Sequence, residues 1–97
     1  MSRELRELRS PSGRITYRAE YLNGQADGLT QTWTENGTLT LEAHYRGGIF
    51  HGPYRSWWDN GVPKEQGEFI EGKRTGIYRW YLENGDLWQE HKYDGAL

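Results

Sequence analysis

Three glycine series run through this chain at one interval. Gly13, Gly37, Gly61 and Gly85 form the first, Gly24, Gly48 and Gly72 the second, and Gly28, Gly52 and Gly76 the third, each spaced by 24 residues. Aromatic residues keep the same interval, with Trp33, Trp57 and Tyr81 in one series and Tyr21, Tyr45, Phe69 and Tyr93 in another. Asn36, Asn60 and Asn84 precede the first glycine series, and Glu35, Asp59 and Glu83 precede those. A fixed period of this length marks stacked units, none of which can bury its apolar face alone. That constraint governs everything else in the sequence.

Within a unit, two runs of about six to eight residues are separated by E-N-G on one side and by G-x-x-x-G on the other. The runs are rich in Tyr, Trp and Thr and too short for typical helices, so they read as strands. Each unit is therefore a β-hairpin. Only 34% of the residues are hydrophobic, yet there are 5 Trp and 7 Tyr, so rings must supply most of the buried apolar area.

Two turns could close the E-N-G hairpin. A two-residue Asn-Gly loop would set Trp33 across from Thr40, on the face opposite Leu39, Leu41 and Tyr45. A three-residue loop with Gly37 in the left-handed region instead pairs Trp33 with Leu39, and a regular ladder from there puts Trp33, Leu39, Leu41, Ala43 and Tyr45 on one face. A one-residue slip inverts the face, so the second register is expected. It carries over to Trp57 with Pro63 and Phe69, to Tyr81 with Leu87 and Tyr93, and to Ile15, Tyr17, Ala19 and Tyr21. Trp33, Trp57, Tyr81, Tyr21, Tyr45, Phe69 and Tyr93 then form a structural ladder.

The expected fold is all-β: one curved antiparallel meander of about seven or eight short strands, in a single domain over residues 1–97. Residues 1–28 form a degenerate capping unit, in which Arg9 replaces the tryptophan and Pro11-Ser12-Gly13 keeps the turn, followed by units 29–52, 53–76 and 77–97. A short helix at Arg3–Arg9 is the competing reading of the start. Gly95 comes one position early for the period, as at a frayed end.

At these residues the sequence resembles the MORN-repeat variant of bacterial proteins labelled as antitoxins of toxin–antitoxin systems, the YwqK-like group. The motifs that carry the resemblance are WTENGTLTLEAHYRGG, WWDNGVPKEQGEFIEGKRTG and YLENGDLWQEHKYDG, covering about residues 12 to 95. It implies an elongated, curved meander used for recognition. The Gly-rich strand opening and slightly shorter period of the eukaryotic-type MORN unit are absent, which argues against a phosphoinositide-membrane role.

Several chemistries are disfavoured by the residues themselves. The net charge of −2 gives no general attraction to a phosphate backbone, so nucleic acid is not expected as a partner. The chain has no apolar run of spanning length, and its absence of cysteine suits a reducing compartment, so the cytoplasm is the expected location. His44, His51 and His91 lack metal-ligand spacing, and no cofactor or metal is expected. The serines lack a nucleophile elbow, and GKRTG at Gly72–Gly76 lacks the spacing of a phosphate-binding loop. Glu20, Glu42, Glu68 and Glu90 recur with the repeat and read as cross-strand ion pairs. Arg3, Arg6, Arg9, Arg14 and Arg18 against Glu4 and Glu7 read as a charged edge that resists sheet-to-sheet association.

The informative rings are those the repeat does not require. Tyr54, Trp58, Tyr78, Trp80 and Trp88 should lie on the face opposite Trp57 and form one patch, a candidate surface for a protein partner. The bland alternatives are that they complete a core or seal a homodimer. The function expected is a non-enzymatic protein-binding module, such as an antitoxin, immunity protein or inhibitor that occludes a toxin or effector enzyme. A MORN-type scaffold or membrane-surface module, or a self-assembling repeat protein, is the alternative.

Overall fold

The computed structural model describes residues 2–94. Eight strands, β1 (Arg3–Arg9), β2 (Ile15–Leu22), β3 (Gln25–Trp33), β4 (Leu39–Arg46), β5 (Ile49–Trp57), β6 (Pro63–Ile70), β7 (Lys73–Tyr81) and β8 (Leu87–Tyr93), pair in chain order in one antiparallel sheet. The sheet is open and curved, measures 37 × 35 × 10 Å, and is one layer thick. Arg3–Arg9 is a strand paired with β2, not a helix. Gly95 lies outside the described residues.

The E-N-G turns are three-residue loops. Thr34 and Thr38, Trp58 and Val62, and Leu82 and Asp86 close them with N–H donation to the carbonyl across the loop at 2.8–2.9 Å. Gly37, Gly61 and Gly85 sit at φ +91°, +85° and +96°, the left-handed region that a side chain disfavours. The opposite ends of the hairpins differ from the expected long G-x-x-x-G connection. Asn23-Gly24, Gly47-Gly48 and Glu71-Gly72 form two-residue turns, with both residues at positive φ in each. Gly28, Gly52 and Gly76 stand inside β3, β5 and β7 instead. The two-residue turns also tie neighbouring hairpins together: Gly48 donates its N–H to the Ala26 carbonyl and Gly72 to that of Phe50, both at 2.8 Å.

The expected common face does not form. Trp33 pairs with Leu39, as the three-residue loop requires, but Thr32 pairs with Leu41, Thr30 with Ala43 and Gly28 with Tyr45. One residue, Thr40, is therefore extra in β4, and the same bulge recurs in β6 between Pro63 and Glu65 and in β8 between Leu87 and Gln89. Each bulge shifts the alternation by one. Trp33, Trp57 and Tyr81 consequently lie on one face, and Tyr21, Tyr45, Phe69 and Tyr93 on the other.

The second face carries the packed aromatics. Tyr45 stacks on Phe50 (ring centroids 4.7 Å), Phe50 lies 4.9 Å from Phe69, Phe69 meets Tyr54 and Tyr78 at 5.6 and 5.9 Å, and Tyr78 meets Tyr93 at 6.4 Å. Tyr78 is only 1% exposed. Small residues make room for the rings: Ala19 and Ala43 are fully buried opposite Thr30 and Tyr54, and Gly67 lies under the ring of Tyr78. The Tyr78 hydroxyl donates to Glu65 Oε1 at 3.1 Å, and burial pushes its ionisation well above that of a free phenol. Arg74 lies over this cluster, 4.8 Å from the centre of the Tyr78 ring.

The opposite face is polar around its aromatic series. Arg79 and Glu90 form an ion pair there at 2.6 Å, and Gln31 donates to Glu42 at 3.0 Å. Glu20 accepts the N–H of Leu29 at 2.7 Å and so serves the β3 irregularity at Gly28 rather than an arginine. The expected glutamate ion-pair series is thus realised as a pair only at Glu90 among the described contacts.

Candidate recognition site

The site grows from three positions that recur once per hairpin on the aromatic face, next to the E-N-G turns. Two are the alternating residues at the end of the outgoing strand and the third is the bulge residue of the returning strand. In β3–β4 they hold Thr32, Thr34 and Thr40. Thr32 and Thr40 hydroxyls bond to each other at 2.7 Å, and Thr34 Oγ1 accepts the Thr38 N–H at 3.1 Å, which closes this corner with short polar side chains. In β5–β6 the set becomes Ser56, Trp58 and Lys64, and in β7–β8 it becomes Trp80, Leu82 and Trp88.

Adjacent repeats therefore set three indoles and a leucine side by side. Trp58 is held by donating its indole N–H to the Tyr81 carbonyl at 3.2 Å, and Lys64 Nζ sits 4.7 Å from the centre of its ring. Trp80, opposite Glu65 and Gln89, packs against Tyr78 with ring centroids 4.7 Å apart. Leu82 is exposed, and Trp88, at the β8 bulge, is 63% exposed. Together with Glu65 and Tyr81, these residues line an apolar recess of about 330 Å³. Indole faces flanked by one cation and one carboxylate suit an apolar or aromatic side chain with polar neighbours.

The five rings singled out in the sequence are contiguous but divide by exposure. All lie on the face opposite Trp57, but Tyr54 and Tyr78 belong to the packed cluster, whereas Trp58, Trp80 and Trp88 line the recess. Lys64, Glu65 and the half-buried cluster residue Phe50 were missed. Lys64 and Trp88 occupy the same repeat position, yet nothing in their side chains marks it as a bulge.

On the other face, Trp33 and Trp57 border more open, more polar recesses of about 390 and 530 Å³. The arginines of the first unit are largely engaged. Arg3 pairs with Asp27 at 3.0 Å, Arg18 with Glu7 at 2.8 Å, and Arg6 with Glu4 at 2.9 Å while lying 3.9 Å over the Tyr21 ring. Among the described residues, no group of three or more His, Cys, Asp or Glu is placed to hold a metal ion, and no helix is long and apolar enough to cross a membrane.

No curated protein and no solved structure matches the chain. The MORN repeat variant model matches residues 26–46, 50–71 and 74–94, which are the hairpins β3–β4, β5–β6 and β7–β8. MORN repeats commonly serve as protein- or membrane-binding modules. With three matched hairpins spanning most of its length and a sheet built from their stacking, the chain belongs to the MORN repeat variant family.

Proposed function

We propose that this chain is a non-enzymatic protein-binding module, an antitoxin, immunity protein or other small inhibitor, that occludes a partner enzyme in the cytoplasm by seating one of its side chains in the Trp58, Trp80, Trp88 recess. The observation that carries the reading is the departure of this one corner from the rest of the repeat: at the positions of three threonines that bond locally in one hairpin, the next two hold three indoles and a leucine beside Ser56 and Lys64. Folding does not need the exposed ring of Trp88, whereas clustered Trp residues are the commonest anchors of protein interfaces. The pairing of Arg3, Arg6 and Arg18 with carboxylates counts against the membrane-surface alternative, which needs free basic groups.

The test begins with co-purification of the partner from the native host and its isolation. Calorimetric titration of that pure partner should then show Trp88→Ala weakening binding about thirtyfold, a loss of about 2 kcal/mol, with the melting temperature unchanged. Equal affinity for wild type and Trp88→Ala would remove the recess from recognition.

A further inference from the structure

The two outer strands of the described sheet differ in chemistry. β1 reads RELRELR, and although it exposes Leu5 and Leu8, its recurring charges blunt an edge that would otherwise template another strand. β8 reads LWQEHKY and is exposed from Leu87 to Lys92, with Leu87, Trp88 and nearby Leu82 among the exposed large apolar residues. An edge of that kind accepts a further antiparallel strand.

The charges on β8 decide which strand fits. Where successive hairpins meet inside the sheet, Arg18 stands opposite Gln31, Glu42 opposite Arg55 and Gln66 opposite Arg79. Extending this series by one 24-residue period, β8 offers Glu90, and β1 of a second copy would bring Glu7 against it. One position along, His91 would meet Arg6, as Ala19 meets Thr30. Head-to-tail growth therefore sets Glu90 against Glu7 and is disfavoured.

Pairing of β8 with itself has the opposite outcome. A continuous sheet keeps the aromatic face on one side, which requires a two-fold axis that sets some residue opposite its own copy. With the axis at His91, Glu90 of each copy faces Lys92 of the other, and Gln89 faces Tyr93. Moving the axis to Glu90 or to Lys92 sets that charge against itself. We propose that β8 pairs with β8 of a second copy, antiparallel about a two-fold axis at His91, joining two eight-stranded sheets into one. The contact is isologous and closes at a dimer, while the charged β1 edges stay outermost. Trp88 belongs both to this strand and to the recess, but the charges that select the register, Glu90 and Lys92, line no part of the recess, so the proposal does not rest on the function proposed above.

The test is a charge swap read by light scattering after size exclusion at about 100 μM, a concentration suited to a small edge contact. Wild type should be dimeric. Lys92→Glu alone sets Glu against Glu twice, and Glu90→Lys alone sets Lys against Lys twice, so each should weaken dimerisation at least about tenfold. An equimolar mixture of the two variants restores both opposite-charge pairs and should form a heterodimer of near wild-type affinity. Thermal melts establish that each variant folds. If Glu90→Lys, which loses its bond to Arg79, does not fold, Glu90→Gln takes its place, and its mixture with Lys92→Glu should associate more tightly than Lys92→Glu alone. A monomeric wild type, a Lys92→Glu variant that dimerises like wild type, or a mixture no tighter than Lys92→Glu alone would each overturn the proposal.

Discussion

Replacing Gly67 by alanine should destabilise this domain through one contact. The φ of Gly67 lies outside the left-handed region, so alanine brings no backbone strain, but its Cβ would stand 2.5 Å from Cε2 and 2.7 Å from Cγ of Tyr78, and closer still to Cδ2. Those separations are far inside van der Waals contact, and Tyr78 is the largest fully buried side chain, so its ring must move and disturb its contacts with Phe69, Trp80 and Tyr93. Overpacking of a well-filled core costs about 1 to 3 kcal/mol, which for a domain of this size lowers Tm by about 5 to 20 °C. Urea unfolding followed by tryptophan fluorescence and far-ultraviolet circular dichroism measures the loss. The decisive comparison is the double-mutant cycle with Tyr78→Val, which removes the ring that the new methyl group meets. In that background Gly67→Ala should cost less than about 0.5 kcal/mol. An undiminished cost there, or no cost in wild type, would refute the account of Gly67 as the seat of the Tyr78 ring.

Other expectations follow from the same geometry. Gly61→Val should cost more than about 1 kcal/mol in urea unfolding, and Gly61→Asn markedly less, because φ is +85° and no atom lies within 4 Å of the added Cβ, leaving backbone conformation as the whole penalty. Phe69→Ala should cost about 3 to 5 kcal/mol and Trp57→Ala clearly less, since Phe69 is buried in the ring cluster while Trp57 is half-buried on the polar face; equal losses would argue against the two-face assignment. The Tyr17 phenol, hydrogen-bonded to that of Tyr21 at 3.2 Å and partly buried, is pushed up to about 12 from an ordinary value of 10.0. Its neutral form is the one the fold favours, so the stability it contributes is complete below pH 10 and is lost as pH rises towards 12. Ultraviolet titration should show a phenolate forming near pH 12 that vanishes in Tyr17→Phe.

Much of the fold is legible because the repeat writes its special backbone positions in glycine. Gly37, Gly61 and Gly85 announce the left-handed residue of a three-residue loop, and the structure places all three there. Asn23-Gly24 likewise signals a two-residue turn, but Gly28, Gly52 and Gly76 lie close behind and suggested a longer connection than the one formed. The bulge was not legible. Thr40, Lys64 and Trp88 occupy it, and a bulge at these places needs no particular side chain, so nothing in the sequence separates an extra residue from the regular ladder. Because strand alternation has a period of two, that one residue carried Tyr45 and Phe69 to the face opposite Trp33 and Trp57. The split that made the two-residue reading of E-N-G unattractive is therefore real for Leu41 and Tyr45 but not for Leu39, and its cause lies in the strand and not in the turn.

The site was legible to the same depth. Rings outside the repeat pattern did point to the corner where Trp58, Trp80 and Trp88 meet. Tyr54 and Tyr78 break the pattern equally, and only the placement of Ala43 and Gly67 opposite them shows that their rings fold inward onto Phe69. Small residues facing large ones across a strand pair were the available signal, and reading it required the correct register.

Oxidative footprinting of the five tryptophans, with the isolated partner bound and unbound, tests recognition through the recess most directly. Binding should protect Trp88 most, with Trp58 and Trp80 also shielded, while Trp33 and Trp57 on the opposite face keep their reactivity. Protection of Trp33 and Trp57 with Trp88 still reactive would contradict it.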